Sequence, residues 1–187
     1  INLTNRCTNR CTFCIRNEGA GVYGSDSLWL DREPTAKEVL DDLGKYDFSK
    51  YNEVVFCGYG EPTIRIEELC EVARGIKAMC SLPIRINTNG QGNLIHGRDI
   101  TPMFEGIVDI VSISMNTADA ESYAEVCKPA YGEAAYQAVL DFGLCASKHV
   151  PEVIFSVVRT TIPDEDIEKC RVLAEKYGGK LRVRELD

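Results

Sequence analysis

Short apolar runs rich in β-branched residues alternate with helical patterns along the chain, and this alternation constrains the fold more than any other feature. The runs that read as strands are 1–5, 53–58, 83–90, 108–116, 152–161 and 180–186. Strands that alternate with helices form mostly parallel sheets with the helices outside. Because six units are too few to close an ordinary eight-stranded barrel, the sequence predicts an α/β fold with an open or partial TIM-like barrel.

The helices between these strands have recognisable starts and apolar faces. Thr35 and Glu38 have the spacing of a capping box, which predicts a helix that begins just after Thr35. Further helices are predicted over 65–80, 119–127, 133–148 and 164–177. No long linker or internal repeat interrupts the pattern, so we expect 1–187 to form a single domain.

Composition narrows the class of protein. The formal net charge is −8, and proteins that grip long nucleic acids usually carry a basic face, so duplex binding is not expected. No apolar run reaches the ~18 residues that a membrane span needs. No signal-peptide pattern is present. We expect a cytoplasmic protein without membrane association. Because the chain starts at Ile1 inside a predicted strand, a short N-terminal piece is expected to be missing.

Three of the nine cysteines, Cys7, Cys11 and Cys14, lie close together directly after the first predicted strand. In parallel α/β folds, strand-end loops of this kind form the functional site. Clustered cysteines in a chain of this size indicate a metal or catalysis rather than a disulfide framework. Structural zinc generally requires four protein ligands, whereas a [4Fe–4S] cluster on three thiolates keeps one iron open for a small molecule. A zinc site without catalysis is the alternative.

Glycine and polar residues follow the later strands. In FCGYGEP (56–62), Gly58 and Gly60 would let the backbone approach a ligand, and Glu61 could accept a hydrogen bond from an ammonium group. The alternative is a turn with a solvated glutamate. Further candidates at strand ends are Thr88, Asn89, Ser112, Ser114 and Arg159, with Asn87 weaker. An Asn-Gly turn and a surface ion pair of Arg159 are the alternatives there.

The spacing C-x3-C-x2-C, with Phe13 before the last cysteine, resembles the signature of the radical S-adenosylmethionine (SAM) superfamily. The resemblance implies a radical SAM core, which is a partial (β/α)6 barrel. It implies a [4Fe–4S] cluster on Cys7, Cys11 and Cys14 whose open iron binds SAM. Reductive cleavage of SAM would give a 5′-deoxyadenosyl radical that abstracts hydrogen from a substrate.

The same resemblance assigns roles to the strand-end residues. Phe13 would pack near the adenine, and Thr88 or Asn89 would contact the ribose. The methionine end of SAM would be held by the turn GYGE (58–61) with its Glu61, and by the side chains of Ser112, Ser114 and Arg159. The enzyme would be oxygen-sensitive and would need an electron donor such as flavodoxin or ferredoxin. No second cysteine group follows the last strand, so one cluster is expected.

The amino-acid sequence of the whole chain, from NLTNRCTNRCTFCIRN to RVRE, is most similar to the TatD-associated radical SAM proteins. This likeness implies a TatD-type hydrolase as functional partner and gives no substrate. Within the class, a glycyl-radical activating enzyme and an enzyme similar to the 7-carboxy-7-deazaguanine synthases are alternatives. A metal hydrolase would need His and Asp at strand ends, which the scattered His96 and His149 do not favour.

Several other residues near the predicted site have two interpretations each. The loop 15–34 contains Tyr23 and Trp29; it would either cover the open iron or pack its aromatic rings on the first helix. Arg16 would either reach an anionic substrate group or lie at the surface. Arg182 and Arg184 are candidates for binding an anionic substrate group. Cys57 is a candidate second thiol. Core packing is expected for Cys70, Cys80, Cys145 and Cys170, because buried cysteine behaves as a small hydrophobic residue.

Overall fold

The computed structural model describes residues 1–18 and 27–185. In this part of the chain a parallel five-stranded sheet has its strands side by side in chain order. The strands are β1 (Val54–Phe56), β2 (Ile84–Thr88), β3 (Ile110–Ser114), β4 (Glu152–Val158) and β5 (Lys180–Arg184). Each lies within a range predicted from the sequence. The predicted α/β partial barrel is confirmed.

Helices connect the strands. They are α1 (Ala36–Leu43), α2 (Ile66–Met79), α3 (Gly92–His96), α4 (Ala120–Cys127), α5 (Ala134–Ala146) and α6 (Asp164–Lys176). Short 3-10 helices lie at Ile15–Glu18, Phe48–Lys50, Pro62–Arg65, Thr101–Phe104 and Arg159–Thr161. The predicted helices are confirmed, and α3 was missed because one short turn has no measurable apolar period.

The predicted strand at 1–5 is wrong, although its first residue does lie beside the sheet. The Ile1 amino group donates to the Val55 carbonyl at 2.7 Å, and the Cys57 amide donates to the Ile1 carbonyl at 2.9 Å. After Ile1 the hydrogen bonds of this segment are made by side chains. Asn2 Nδ2, for example, donates to the Leu28 carbonyl at 2.6 Å. Such side chain–backbone bonds compete with a strand ladder, so the segment forms no strand although Ile1 bonds to Val55 and Cys57.

The two faces of the sheet differ in chemistry. On β2, Ile84 and Ile86 are fully buried in the core, whereas Arg85 and Asn87 on the opposite face are half-buried. The core under the helices includes Phe56, Leu69, Ile76, Val111, Phe142 and Phe155. Cys70 and Cys170 are buried in it as expected, and Cys80 and Cys145 are half-buried. Polar residues are therefore left on the concave face and at the carboxyl ends of the strands.

None of the helices within 1–18 and 27–185 combines the length and the apolar character that crossing a membrane requires.

Candidate functional site

A cavity of about 290 Å³ lies at the carboxyl ends of the strands, where the sequence predicted the site. Its wall combines the cysteine loop, the turn after β1 and the ends of β2 and β3. The predicted site residues that line it are Cys7, Cys11, Phe13, Cys14, Gly58, Gly60, Glu61, Thr88, Asn89 and Ser114. The fold therefore brings most of the predicted residues to one place.

The cysteine loop, residues 7–14, is hydrogen-bonded through its backbone to the last turn of α4. The Arg10 amide donates to the Cys127 carbonyl at 3.0 Å, and the Thr12 amide donates to the Val126 carbonyl at 2.9 Å. These bonds place Cys11 directly beside the end of α4.

A buried polar network lies under the same loop. Gln91 Nε2 donates to Asn9 Oδ1 at 2.7 Å and to the Tyr123 hydroxyl at 3.1 Å, and Asn9 Nδ2 donates to that hydroxyl at 3.1 Å. All three side chains are almost fully buried, and burial raises the pKa of Tyr123, which keeps its hydroxyl neutral. The network joins the three side chains through these bonds, although Gln91 Oε1 has no partner among the described residues. No local motif contains these residues, so their role in the site was not predicted from the sequence.

Cys7 and Cys14 each have a hydrogen-bond donor at their sulfur. The Asn9 amide donates to Cys7 Sγ at 3.4 Å, and Asn89 Nδ2 lies 3.8 Å from the same atom. Arg16 Nε donates to Cys14 Sγ at 3.4 Å. Burial, with the nearby Glu61 carboxylate, raises the pKa of Cys7 to about 11. The donors would stabilise a thiolate once a metal replaces the proton.

The Arg16 side chain connects parts of the cysteine loop to one another rather than reaching toward a substrate. Besides its contact with Cys14, its guanidinium donates to the Asn5 carbonyl at 3.2 Å and to the Asn9 carbonyl at 3.4 Å. A planar guanidinium with several fixed donors can join three points of a loop in this way. Neither of the two roles suggested by the sequence describes this arrangement.

Cys11 has a different partner, the buried Cys127. The neighbouring Cys127 thiol raises the pKa of Cys11, and the pKa of Cys127 itself is lowered. Asn116 Nδ2 donates to Cys127 Sγ at 3.2 Å. The sequence predicted no function for Cys127, because residues so far apart along the chain give no local sign that they lie together.

Asn116 borders the cavity with an unused acceptor. Its backbone has a positive φ of 64°, and its side chain is buried at 1% exposure. Among the described residues its Oδ1 has no hydrogen-bond partner. A buried polar atom of this kind requires a partner, and an amine or hydroxyl of a bound ligand would provide one.

Glu61 is surrounded by protein donors. Oε1 accepts from the Thr63 amide at 3.0 Å, from the Thr63 hydroxyl at 2.6 Å and from the Thr88 hydroxyl at 2.7 Å. Oε2 accepts from the Asn89 amide at 2.6 Å. Desolvation by burial raises the pKa of this carboxyl, against the effect of these donors. Because a carboxylate has about four lone-pair sites, most of its capacity is already used to join the GYGE turn to the end of β2.

The GYGE turn passes so close to the cysteine loop that its glycines have no room for side chains. A Cβ on Gly60 would lie 2.1 Å from the Thr4 carbonyl oxygen and 2.6 Å from that of Arg6. The next amide, of Glu61, donates to the Arg6 carbonyl at 2.8 Å. Gly60 therefore allows the backbone contact that brings the two parts of the cavity wall together.

Ser112 and Arg159 are not brought to this cavity. Arg159 is exposed, and its guanidinium donates to Glu185 at 2.9 Å and to Asp164 at 3.0 Å. This geometry matches the surface ion pair that was the alternative in the sequence. Contact between either residue and SAM stays a prediction, and for Arg159 it requires these ion pairs to open.

Ser112 instead faces a second cavity of about 630 Å³ on the concave sheet face, which adjoins the first at Asn87, Ser114 and Arg184. Its residues are Arg85, Asn87, Ser112, Ser114, Ser156, Arg182, Val183, Arg184 and Glu185. Arg85 is paired with Glu53 through contacts of 3.0 and 2.6 Å. Ser114, Ser156 and Arg182 lie opposite one another across β3, β4 and β5.

The loop after the cysteines contacts the GYGE turn. The Trp29 ring packs on Tyr59 with the ring centroids 4.9 Å apart, so this aromatic residue covers the turn rather than α1. Tyr23, for which the sequence suggested the same alternatives, lies outside the described residues. Cys57 lines the cavity as the sequence suggested.

The wall of the cavity includes the thiols of Cys7, Cys11 and Cys14, and none of its described residues is a histidine. Within residues 1–18 and 27–185, no group of three or more His, Cys, Asp or Glu could hold a metal ion. A structural zinc ion requires ligands that converge on one atom. A [4Fe–4S] cluster binds each cysteine through a different iron and fits thiols spread around one cavity. A cluster that binds three cysteines and keeps one iron open suits the three thiols on this cavity wall.

Comparisons with known proteins agree with this chemistry. A profile of the radical SAM superfamily matches residues 1–174. The GTP 3′,8-cyclase of Lactiplantibacillus plantarum is 28% identical over 160 residues, which are 84% of this chain and 44% of that protein. The GTP 3′,8-cyclase of Corynebacterium glutamicum is 30% identical over an alignment that covers 99% of this chain and 48% of that protein.

Solved structures share the fold at low identity. Streptococcus suis SuiB bound to S-adenosylmethionine matches with a TM-score of 0.70 and 15% identity, over 100% of this chain and 40% of that chain. The chain spans less than half the length of each of these relatives.

Proposed function

This chain belongs to the radical SAM superfamily, whose enzymes use a [4Fe–4S] cluster and SAM, and on that premise we propose that Cys7, Cys11 and Cys14 hold one cluster beside a SAM site. When bound, the cluster would supply the electron for reductive cleavage of SAM, which would lead to abstraction of hydrogen from a substrate. The observation that carries the proposal is that all three thiols line the same cavity as the GYGE turn.

The protein's own part in this chemistry is to hold the ligand and exclude water. Glu61 fixes the turn against Thr88 and Asn89 and keeps limited capacity on Oε2 for an ammonium group. Asn116 offers an Oδ1 that has no partner among the described residues, and Ser114 adds a hydroxyl at the end of β3. Phe13 and Ile15 form an apolar part of the cavity wall beside the cysteines. Exclusion of water there would protect a reactive radical.

A phosphate-bearing nucleotide is the substrate class that we propose for the second cavity. Arg182 and Arg184 lie exposed on β5 at its edge, and neighbouring strands present Ser114 and Ser156. Guanidinium groups recognise phosphate through paired hydrogen bonds. Two relatives are named GTP 3′,8-cyclase, which supports the same class.

The substrate class is tested by equilibrium binding of GTP to Arg182→Met and to the wild-type chain. Weaker binding by Arg182→Met is expected. The matched control is Arg171→Met, because Arg171 is an exposed arginine on α6 paired with Glu168. Equal affinity of all three proteins for GTP would remove the support for this site.

The wider setting is proposed from the sequence resemblance. The enzyme would be oxygen-sensitive and cytoplasmic, would form a single radical SAM domain over 1–187, and would receive electrons from a flavodoxin or ferredoxin. A TatD-type hydrolase would act with it. Processing, by the purified hydrolase, of a product made by this enzyme would support that link, and inertness of every product toward the hydrolase would remove it.

The cluster assignment is tested by metal analysis of anaerobically reconstituted protein. The wild type is expected to contain about four irons and four sulfides per chain. Cys14→Ala is expected to lose both, together with the visible absorption of the cluster. Cys145→Ala serves as the control, because this half-buried cysteine of α5 lies away from the cavity. One zinc ion and no sulfide in the wild type would contradict the proposal.

A further inference from the structure

Asn89 follows β2 directly and is buried, with both polar groups of its side chain engaged by the protein. Its Nδ2 donates to the Thr8 hydroxyl at 2.8 Å, and its Oδ1 accepts from the Gln91 amide at 2.9 Å. Its backbone amide donates to Glu61 Oε2 at 2.6 Å. The sequence suggested a ribose contact for Asn89, whereas in the structure its side chain joins the end of β2 to the cysteine loop.

Thr8, the partner of Asn89, lies directly after Cys7 and is held from two sides. Its hydroxyl accepts from Asn89, and its carbonyl accepts from the Ala130 amide at 2.8 Å, a few residues beyond α4. Cys7 and Asn89 both line the cavity, whereas Thr8 does not. The hydrogen bond between Thr8 and Asn89 therefore connects the cavity wall to a residue behind it, which a ligand in the cavity would not touch.

The same amide lies beside the sulfur of Cys7, with Asn89 Nδ2 3.8 Å from Sγ. Because an amide nitrogen carries two hydrogens, one can point to Thr8 and the other to Cys7. The strand that precedes Asn89 lies inside the sheet, between β1 and β3. Side chains supported by a strand are placed more precisely than those supported by a loop, so Asn89 can fix the start of the cysteine loop against the sheet.

We propose that Asn89 is a positioning residue for the cluster. Through its hydrogen bond to Thr8, it holds Cys7 at the place where the thiolate binds iron. Residues that orient a metal ligand from behind contribute to metal retention, and their loss typically costs about 10–100-fold in metal affinity. The inference rests on the proposed function, because it requires the cluster on Cys7, Cys11 and Cys14.

The test compares substitutions that remove this hydrogen bond from either side. Thr8→Val removes the hydroxyl and keeps the shape of the side chain, and Thr8→Ala removes the same hydroxyl should the valine variant fail to fold. Asn89→Ala removes the amide, whereas Thr8→Ser keeps the acceptor. Thr12→Val is the matched control, because Thr12 is an exposed threonine of the same loop whose described hydrogen bonds are made by its backbone.

The measurement is the rate at which anaerobically reconstituted protein loses iron to an excess of an iron(II) chelator, followed by absorbance. Iron release is expected to be about tenfold faster in Thr8→Val and in Asn89→Ala. Thr8→Ser and Thr12→Val should release iron at the wild-type rate. The double variant of Thr8→Val and Asn89→Ala should release iron no faster than Asn89→Ala alone, because both changes break the same contact.

SAM binding by equilibrium dialysis, on samples of equal iron and sulfide content, separates positioning from ligand contact. A positioning role predicts equal SAM affinity for Thr8→Val and Asn89→Ala. Weaker binding by Asn89→Ala alone would make Asn89 a contact of SAM and would overturn the inference.

The rates of iron release give the other decisive outcomes. A wild-type rate for Thr8→Val would overturn the inference, whatever Asn89→Ala does. Release from Thr8→Ser as fast as from Thr8→Val would also overturn it, because the hydroxyl acceptor is present in the serine variant. Absence of iron and sulfide from the wild type itself would instead contradict the proposed function.

Discussion

At the scale of the residue, the cavity wall depends on polar groups that bind to each other before they bind any ligand. Glu61 was expected from its motif to contact SAM, and the structure shows its carboxylate joined to Thr63, Thr88 and Asn89. A motif predicts that these residues lie together, because each follows a strand. It does not predict which lone pairs are already occupied. Contacts such as Asn9 to Tyr123, which are 114 residues apart, have no local signal.

Gly60→Ala tests the close approach between the GYGE turn and the cysteine loop. The added methyl group would overlap the Thr4 and Arg6 carbonyl oxygens, which are backbone atoms and cannot rotate away. Overpacking of this kind costs about 1–3 kcal/mol, so urea unfolding should show a lower free energy of unfolding. Gly44→Ala is the control, because the nearest atom to its Cβ is 3.6 Å away. Equal stability of the two variants would contradict this account.

At the scale of the element, the sequence predicted what local periodicity encodes. The five strands and most of the longer helices were found from repeated apolar spacing, and α1 was found from its capping box at Thr35 and Glu38. The segment 1–5 was wrongly predicted as a strand, since its side chains bond to 27–35 rather than letting the backbone pair. Ser112 lies within β3, two residues before the strand ends, and its side chain lines the second cavity. Arg159 follows β4, and ion pairs with Asp164 and Glu185 hold it at the surface.

Thr35→Ala tests the start of α1. The Thr35 hydroxyl accepts from the Glu38 amide at 3.2 Å, and the Thr35 amide donates to Glu38 Oε2 at 2.9 Å. Loss of such a cap costs about 1 kcal/mol, and the Tm should fall by a few degrees. Thr160→Ala is the matched control on the exposed 3-10 helix after β4. A Tm for Thr35→Ala equal to that of Thr160→Ala would show that the capping box contributes nothing.

At the scale of the whole molecule, ion pairs join the cysteine-bearing N-terminal segment to the rest of the fold. Glu33 binds Arg6 at 2.7 Å, the Thr4 hydroxyl at 2.6 Å and Arg65 at 3.3 Å. The hydrogen bond from Arg6 is the largest cause that lowers the pKa of Glu33 below 4.5. The sequence predicted neither partner, because net charge and composition do not specify which side chains meet.

The pH dependence of stability should report these contacts. A carboxyl whose pKa is lower in the folded state stabilises the fold above its unfolded pKa of 4.5, and this contribution is lost as the pH falls through the folded pKa. Glu33→Gln should therefore be less stable than the wild type at pH 7, by less than about 1 kcal/mol because the pairs are partly exposed. The difference should shrink well below pH 4.5. Glu71→Gln, an exposed glutamate of α2, is the control, and a pH-independent difference for Glu33→Gln would contradict the assignment.

The central claim, that this cavity supports reductive cleavage of SAM, is tested most directly by looking for the product. Anaerobically reconstituted protein would be mixed with dithionite and SAM, and 5′-deoxyadenosine would be measured by mass spectrometry with iron and sulfide counted on the same sample. The account predicts 5′-deoxyadenosine from the wild type and none from Cys14→Ala. A wild-type protein with a full cluster that leaves SAM intact would contradict it.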